Sequence, residues 1–236
     1  MHGSLPTLLS VQAPTLHADL DRIIAVGDSA GGYLSLHMGL SYPDKIRAVN
    51  AVYPMTGPDL FNSGGTGRSV FNIPLLPRDT LDRHIEQIKV SEKEKQSPVV
   101  VSAETGPERI QLMFAICQYE QMGRLFPQNV DRLFILKRLE NGDRFPRGGV
   151  SVFHGRDDSI VPVQVSYDLM RKLQEVDPSL DFRLVVRDGE HGFDHQASLH
   201  DGWLWGAVRD HIKCWLELES YDCGSKYIVR PEFSKM

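Results

Sequence analysis

Ile23-Ile24-Ala25-Val26-Gly27-Asp28-Ser29-Ala30-Gly31-Gly32-Tyr33-Leu34-Ser35-Leu36 is the stretch on which the fold of this chain turns. Its first four residues form a continuous apolar run, the pattern of a strand buried on both faces. Gly27 ends that run. From Ala30 onward Tyr33, Leu36 and Leu40 recur at helical spacing, and Pro43 with Asp44 closes the helix. A strand, a sharp turn and a helix are therefore predicted, with Ser29 in the turn. Gly27-x-Ser29-x-Gly31 leaves room for a strained backbone that lifts the hydroxyl above a sheet, and the N–H of Ala30 would face a developing oxyanion. A serine hydroxyl is a poor nucleophile unless a base takes its proton and a third group orients that base. Those two partners must come from the rest of the chain.

A second strand is predicted over Ala48–Tyr53, stopped by Pro54, so that 23–53 reads as a βαβ unit with a parallel pair. Between Thr56 and Arg147 only helical stretches stand out, around Leu81–Val90 and Glu108–Leu125, separated by Gly- and Pro-rich segments. The pattern resumes with a strand at Val150–Phe153, an amphipathic helix over Val163–Val176, a strand at Phe182–Val186 and a last helix over Asp201–Leu218. In that last helix Trp203, Trp205, Val208, Ile212 and Trp215 read as packing residues. The expected organisation is thus core (1–55), cap insertion (56–147), core (148–221) and tail (222–236).

The acid is expected after a later strand. His154-Gly155-Arg156-Asp157-Asp158-Ser159-Ile160-Val161-Pro162 follows Val150–Phe153 and offers Asp157 and Asp158. The base is expected one strand further on. Arg187-Asp188-Gly189-Glu190-His191-Gly192-Phe193-Asp194-His195 offers His191 and His195.

Composition narrows the possible partners. The 236 residues are 41% hydrophobic and 24% charged, enough for a substantial core. The net charge of -5 and the absence of a Lys/Arg cluster disfavour nucleic acid and anionic membranes as partners. No apolar run is long enough for a membrane span, and Met1-His2-Gly3-Ser4 is not the start of a secretory signal, so a cytoplasmic location is expected. Cys117, Cys214 and Cys223 lack metal-ligand spacing and read as reduced thiols. We expect no metal or cofactor. The run Ser91–Gln96 reads as a solvated helix end or loop.

GDSAGG preceded by Asp19-Leu20-Asp21-Arg22, HGRDDSIVP and EHGFD together resemble the hormone-sensitive-lipase-like (fold-3) group of α/β-hydrolases. The wording is most similar to fungal members, among them hydrolases of polyketide-type gene clusters such as that of fusaric acid biosynthesis. The resemblance implies an α/β-hydrolase fold, with a mostly parallel sheet, flanking helices and a helical cap insertion. It selects Asp158 over Asp157 as the acid and His191 as the base. His154 becomes a loop-shaping residue, Asp28 a support for the elbow, and His195 and His200 surface residues. The order Ser29, Asp158, His191 is that of α/β-hydrolases.

Members of this group also carry a His-Gly-Gly-Gly-type oxyanion loop well before the serine. The 28 residues ahead of Ser29 hold no such loop, and Leu5–His17 resembles only the end of the helix before the nucleophile strand. His2-Gly3 is too short, and Asn62–Gly67 follows the serine. We therefore expect the N-terminal strands and oxyanion loop to be missing. Loss of one donor costs about a hundred- to a thousandfold in turnover, so reduced activity is expected. The first strand would expose an apolar edge, to be covered by an oligomer or another partner. The expected function is a serine hydrolase acting on a small-molecule acyl substrate, an ester or thioester. A carbon–carbon bond hydrolase of a β-diketone uses the same triad, and a non-catalytic or truncated remnant is the rival of another class.

Overall fold

The computed structural model describes residues 19–57, 66–96 and 108–216. The assignments made above to His2-Gly3, Leu5–His17, Asn62–Gly65, Cys223 and the tail lie outside the described residues. Two compact units divide the chain, one of residues up to Thr56 and from Phe134 on, the other Gly57–Leu133.

Among the described residues the first unit holds four strands, β1 (Ile23–Asp28), β2 (Ile46–Val52), β3 (Val150–Gly155) and β4 (Phe182–Arg187). All neighbours are parallel, in the order β1-β2-β3-β4. Helix α1 (Ala30–Ser41) connects β1 to β2. The three later core strands are each bonded where their apolar runs predict, and β3 is buried at all six positions.

β1 departs from expectation. Ile23, Ile24 and Ala25 are only half-buried and Val26 is 62% exposed, because among the described residues β1 is bonded to β2 alone. A continuous apolar run therefore does not here mean a strand covered on both faces.

The layers follow from the alternation along β2. Val49 faces α1, where a Cβ on Gly39 would come within 2.5 Å of Val49 Cγ2, whereas the next residue, Asn50, meets His211 of the last helix. Successive side chains leave a strand on opposite faces, so the two helices sandwich the sheet. That last helix is α6 (Gly202–Leu216) when α2 (Thr80–Lys95), α3 (Glu108–Gln118), α4 (Ile135–Glu140) and α5 (Gln164–Val176) precede it in chain order. Phe153, Ala207 and Val208 form a buried cluster, with Trp203, Phe193 and Val52 packed against it. Trp203 stands edge-on to Phe153 at 5.9 Å, while Trp205, expected to pack, is 43% exposed. On α5 the buried Val165, Leu169 and Leu173 make one i, i+4 row, as its periodicity predicts.

α4 belongs with the first unit. Arg138 donates to His37 O and Ser41 Oγ of α1, and Lys172 of α5 pairs with Glu140 at 2.9 Å. The insertion drawn from sequence to Arg147 is thus longer than the compact unit that ends at Leu133. Within that second unit α2 runs through Lys95, so most of the polar run after Val90 is helix end, and α3 is followed by a 3₁₀ turn at Met122–Leu125. Gln118 is buried and donates to Ile73 O and Pro74 O while its side-chain oxygen accepts Leu76 N–H.

A close backbone approach decides the entry to α1. A Cβ on Gly27 would lie 2.4 Å from Gly31 O and 2.5 Å from its carbonyl carbon, contacts only backbone movement relieves. Gly27→Ala is expected to destabilise the protein by about 1–3 kcal/mol, read from urea unfolding midpoints.

Candidate active site

Ser29 stands between β1 and α1 with φ 51° and ψ -117°, a conformation rarely adopted by a residue with a side chain. Two hydrogen bonds hold it there. Its N–H donates to Val52 O at 2.8 Å, and its C=O accepts Tyr33 N–H at 3.1 Å. The turn leaves the hydroxyl partly accessible at the carboxyl end of the sheet. Ala30, exposed, opens α1, and the first N–H groups of a helix have no acceptor within it.

Asp158 and His191 come to this serine from the ends of β3 and β4. His191 Nδ1 lies 2.8 Å from Asp158 Oδ2 and His191 Nε2 lies 3.1 Å from Ser29 Oγ. Because the carboxylate can only accept, Nδ1 carries the proton, and Nε2 presents its lone pair to the hydroxyl. Asp158 Oδ1 accepts the N–H groups of Ile160 (2.9 Å) and Val161 (2.7 Å). Burial pushes the Asp158 carboxyl up, but hydrogen bonds from His154 and His191, the His191 charge and the Val161 N–H outweigh it and hold it at about 2. Asp157, the other acid in the loop, is exposed and accepts Gly189 N–H at 3.3 Å instead.

His154 is a buried strut. Its Nε2 donates to Val161 O at 2.8 Å and its Nδ1 accepts from Ser166 Oγ at 2.7 Å, which ties the acid loop to α5. His195 and His200 are exposed. Asp28 is exposed at the end of β1.

Tyr53 was not singled out in the sequence, where it only ended a strand. It is 2% exposed, has φ 37°, and sets its ring 4.3 Å from the His191 imidazole. Burial, then the charge and hydrogen bonding of Asp194, push its phenol far up, so it stays protonated. The only hint in the sequence was its position next to Pro54 at a strand end.

A second Ser-His-Asp grouping lies inside the core, made of Ser151, His211 and Asp181. Ser151 Oγ is 3.2 Å from His211 Nδ1, and His211 Nε2 is 4.0 Å from Asp181 Oδ2. Its hydrogen bonds argue against catalysis. His211 Nδ1 faces Asn50 Oδ1 at 2.9 Å and must carry the proton, so it has no lone pair for the Ser151 hydroxyl, which donates to Ala207 O at 3.1 Å. Burial above all, with Arg183 acting in the same direction, keeps the imidazole well below its ordinary range and neutral. Ser151 and His211 are 0% exposed, so no substrate carbonyl reaches them. This grouping is a structural network that joins β2, β3 and α6.

A cavity of about 550 Å³ lined by Asp19, Arg22, Ile23 and Trp215 lies at the amino end of β1. Ligands of parallel sheets bind at the carboxyl ends of the strands, so the candidate site is the end that carries Ser29 rather than this cavity. Among the described residues no cluster of His, Cys, Asp or Glu could hold a metal, and no helix is long and apolar enough to cross a membrane.

The low position of the Asp158 carboxyl makes its contribution to stability dependent on pH. Its folded value of about 2 lies below the ordinary 3.8, so the contribution is complete above about pH 4 and lost as pH falls through about 2. The difference is worth roughly 2 kcal/mol. The stability gap between wild type and Asp158→Asn should narrow by roughly that amount over this interval in urea unfolding.

Residues 4–116, just under half of the chain, match the sequence model of a family described as alpha/beta hydrolase fold. A Phoma sp. protein named Probable carboxylesterase M8 is 28% identical over 213 residues, covering 86% of this chain and 63% of that protein. The chain thus spans less than two thirds of the length of this curated relative. A Bacteroides ovatus structure described as a dipeptidyl aminopeptidase IV superposes with a TM-score of 0.51 at 12% identity, over 87% of this chain and 21% of the other. The parallel sheet between two helical layers, the strained serine turn from β1 into α1 and the family match agree: the chain has the α/β-hydrolase fold.

Proposed function

We propose that the chain is a serine hydrolase that cleaves the ester or thioester of a small acyl substrate through an acyl-enzyme. The observation that carries this reading is the accessible, continuous hydrogen-bonded chain from Ser29 through His191 to Asp158. His191 Nε2 takes the Ser29 proton as Oγ attacks the carbonyl carbon, and Asp158, held ionised by its hydrogen bonds, stabilises the imidazolium that forms. The oxyanion meets the Ala30 N–H and the positive end of α1. His191 then returns the proton to the leaving oxygen or sulfur and the tetrahedral adduct collapses to the acyl-serine; water, deprotonated by His191, attacks the acyl carbon, and the bond to Ser29 Oγ breaks as Oγ takes back that proton and the acid leaves.

The name of the Phoma relative, a carboxylesterase, supports an ester as the substrate class. A fungal source for that relative and the resemblance of the motifs to fungal hydrolases support a place in polyketide-type secondary metabolism.

A fluorophosphonate probe tests the assignment, since it phosphonylates only an activated serine. Labelling is expected in wild type and in Ser151→Ala and absent in Ser29→Ala, with hydrolysis of p-nitrophenyl butyrate falling on the order of 10⁴-fold or more in Ser29→Ala. Labelling that survives Ser29→Ala and vanishes in Ser151→Ala would reverse the assignment.

A further inference from the structure

We infer that Glu190 is the positioning residue of the catalytic pair, a single carboxylate oxygen that fastens the acid loop and the histidine loop to each other. The inference rests on the functional reading given above, because it assigns Glu190 a role through Asp158 and His191.

Glu190 Oε1 accepts the N–H of His191, the next residue, at 2.9 Å, and also the N–H of Ser159, the residue after Asp158. Both donors are thus backbone neighbours of the reacting pair. The N–H groups of the turn after the acid are shared in a definite way: Ser159 turns to Glu190, whereas Ile160 and Val161 turn to Asp158 itself. One oxygen fixes the backbone of the base and of the acid turn at once.

The two loops are already in contact along their main chains. Asp157 N–H donates to Gly189 O at 3.0 Å and Arg156 N–H to Arg187 O at 2.7 Å. A Cβ on Gly155 would lie 2.4 Å from Gly189 O and 2.9 Å from Glu190 O, so only glycine permits this approach. Those bonds join residues 155–157 to 187–190. The Glu190 carboxylate joins the loops at Ser159 and His191, next to and within the pair, where a shift changes the 2.8 Å and 3.1 Å contacts of the imidazole. The bonds of the Glu190 carboxylate go to backbone N–H groups, so its effect passes through the placement of His191.

An acceptor role differs from a charge role, and substitutions separate them. Glu190→Gln keeps an oxygen at the end of a side chain of the same length, Glu190→Asp withdraws it by one methylene, and Glu190→Ala removes it. Displacement of a catalytic group by about 1 Å costs on the order of 100-fold. With p-nitrophenyl butyrate, kcat is expected to fall about 10- to 100-fold in the Asp and Ala variants with KM little changed, and to stay near wild type in the Gln variant. A second readout does not depend on turnover. The proton that His191 Nδ1 shares with Asp158 should give a downfield ¹H NMR signal, identified by its loss in His191→Gln. That signal is expected in wild type and Glu190→Gln and should broaden or vanish in Glu190→Asp and Glu190→Ala.

If the Ala variant does not fold, the contrast between Gln and Asp carries the test. Wild-type kcat and an intact signal in Glu190→Asp would overturn the inference, as would a Gln variant as impaired as the Ala variant. If wild type neither hydrolyses the ester nor takes the fluorophosphonate, the functional reading fails, and the NMR comparison still decides whether Glu190 holds the pair.

Discussion

The left-handed backbone at Ser29 is the constraint on which the site depends. A serine with φ 51° carries a conformational cost of order 1–3 kcal/mol, and the surrounding structure must over-determine it. Here that is done by the 2.8 Å bond from Ser29 N–H to Val52 O, by the start of α1 on the Ser29 carbonyl, and by the contact of Gly27 with Gly31. All three require β1 to lie parallel to β2 with α1 packed on both. The parallel pairing is therefore also what aims the hydroxyl, and the other groups of the proposed triad arrive from the ends of β3 and β4.

Two groupings of serine, histidine and acid in one chain show how little residue type decides. Around His191 the carboxylate lies at hydrogen-bond distance from Nδ1, the lone pair of Nε2 faces an accessible hydroxyl, and the acid is kept ionised by four donors or charges despite burial. Around His211 the proton sits on the nitrogen nearest the serine, the acid is 4.0 Å from the other nitrogen, and the core encloses the whole. Access and proton placement distinguish a nucleophile from a strut. The same logic explains His154, whose two nitrogens are both used to shape the loop that presents Asp158.

The core strands and the helices that flank them were legible because their patterns are strong: β3 opens Val-Ser-Val-Phe, α5 has a clean i, i+4 row, and glycine or proline marks the turns. The apolar run of β1 says that a strand can be buried, not how many neighbours it has, and Val26 is exposed on it. The position of α4 was also hidden. Ile135–Glu140 is short and follows a long segment of mixed character, and it is Arg138 reaching His37 and Ser41, with Glu140 paired to Lys172, that assigns it to the first unit. Tyr53 carried no signal in its residue type, and Glu190 was legible only as the first residue of EHGFD.

What the sequence by itself determined was the strand-turn-helix around Ser29, the candidates for acid and base, and their order, because these rest on local backbone chemistry and on periodicity over a few residues. What only the tertiary structure decided was contact: His191 lies about 3 Å from both Asp158 and Ser29, Asp157 and His195 are exposed, and Ser151 is enclosed in the core. Those distances are set by loops brought together from β1, β3 and β4, and no local pattern can encode a contact between residues more than 30 positions apart, as with Asp158 and His191.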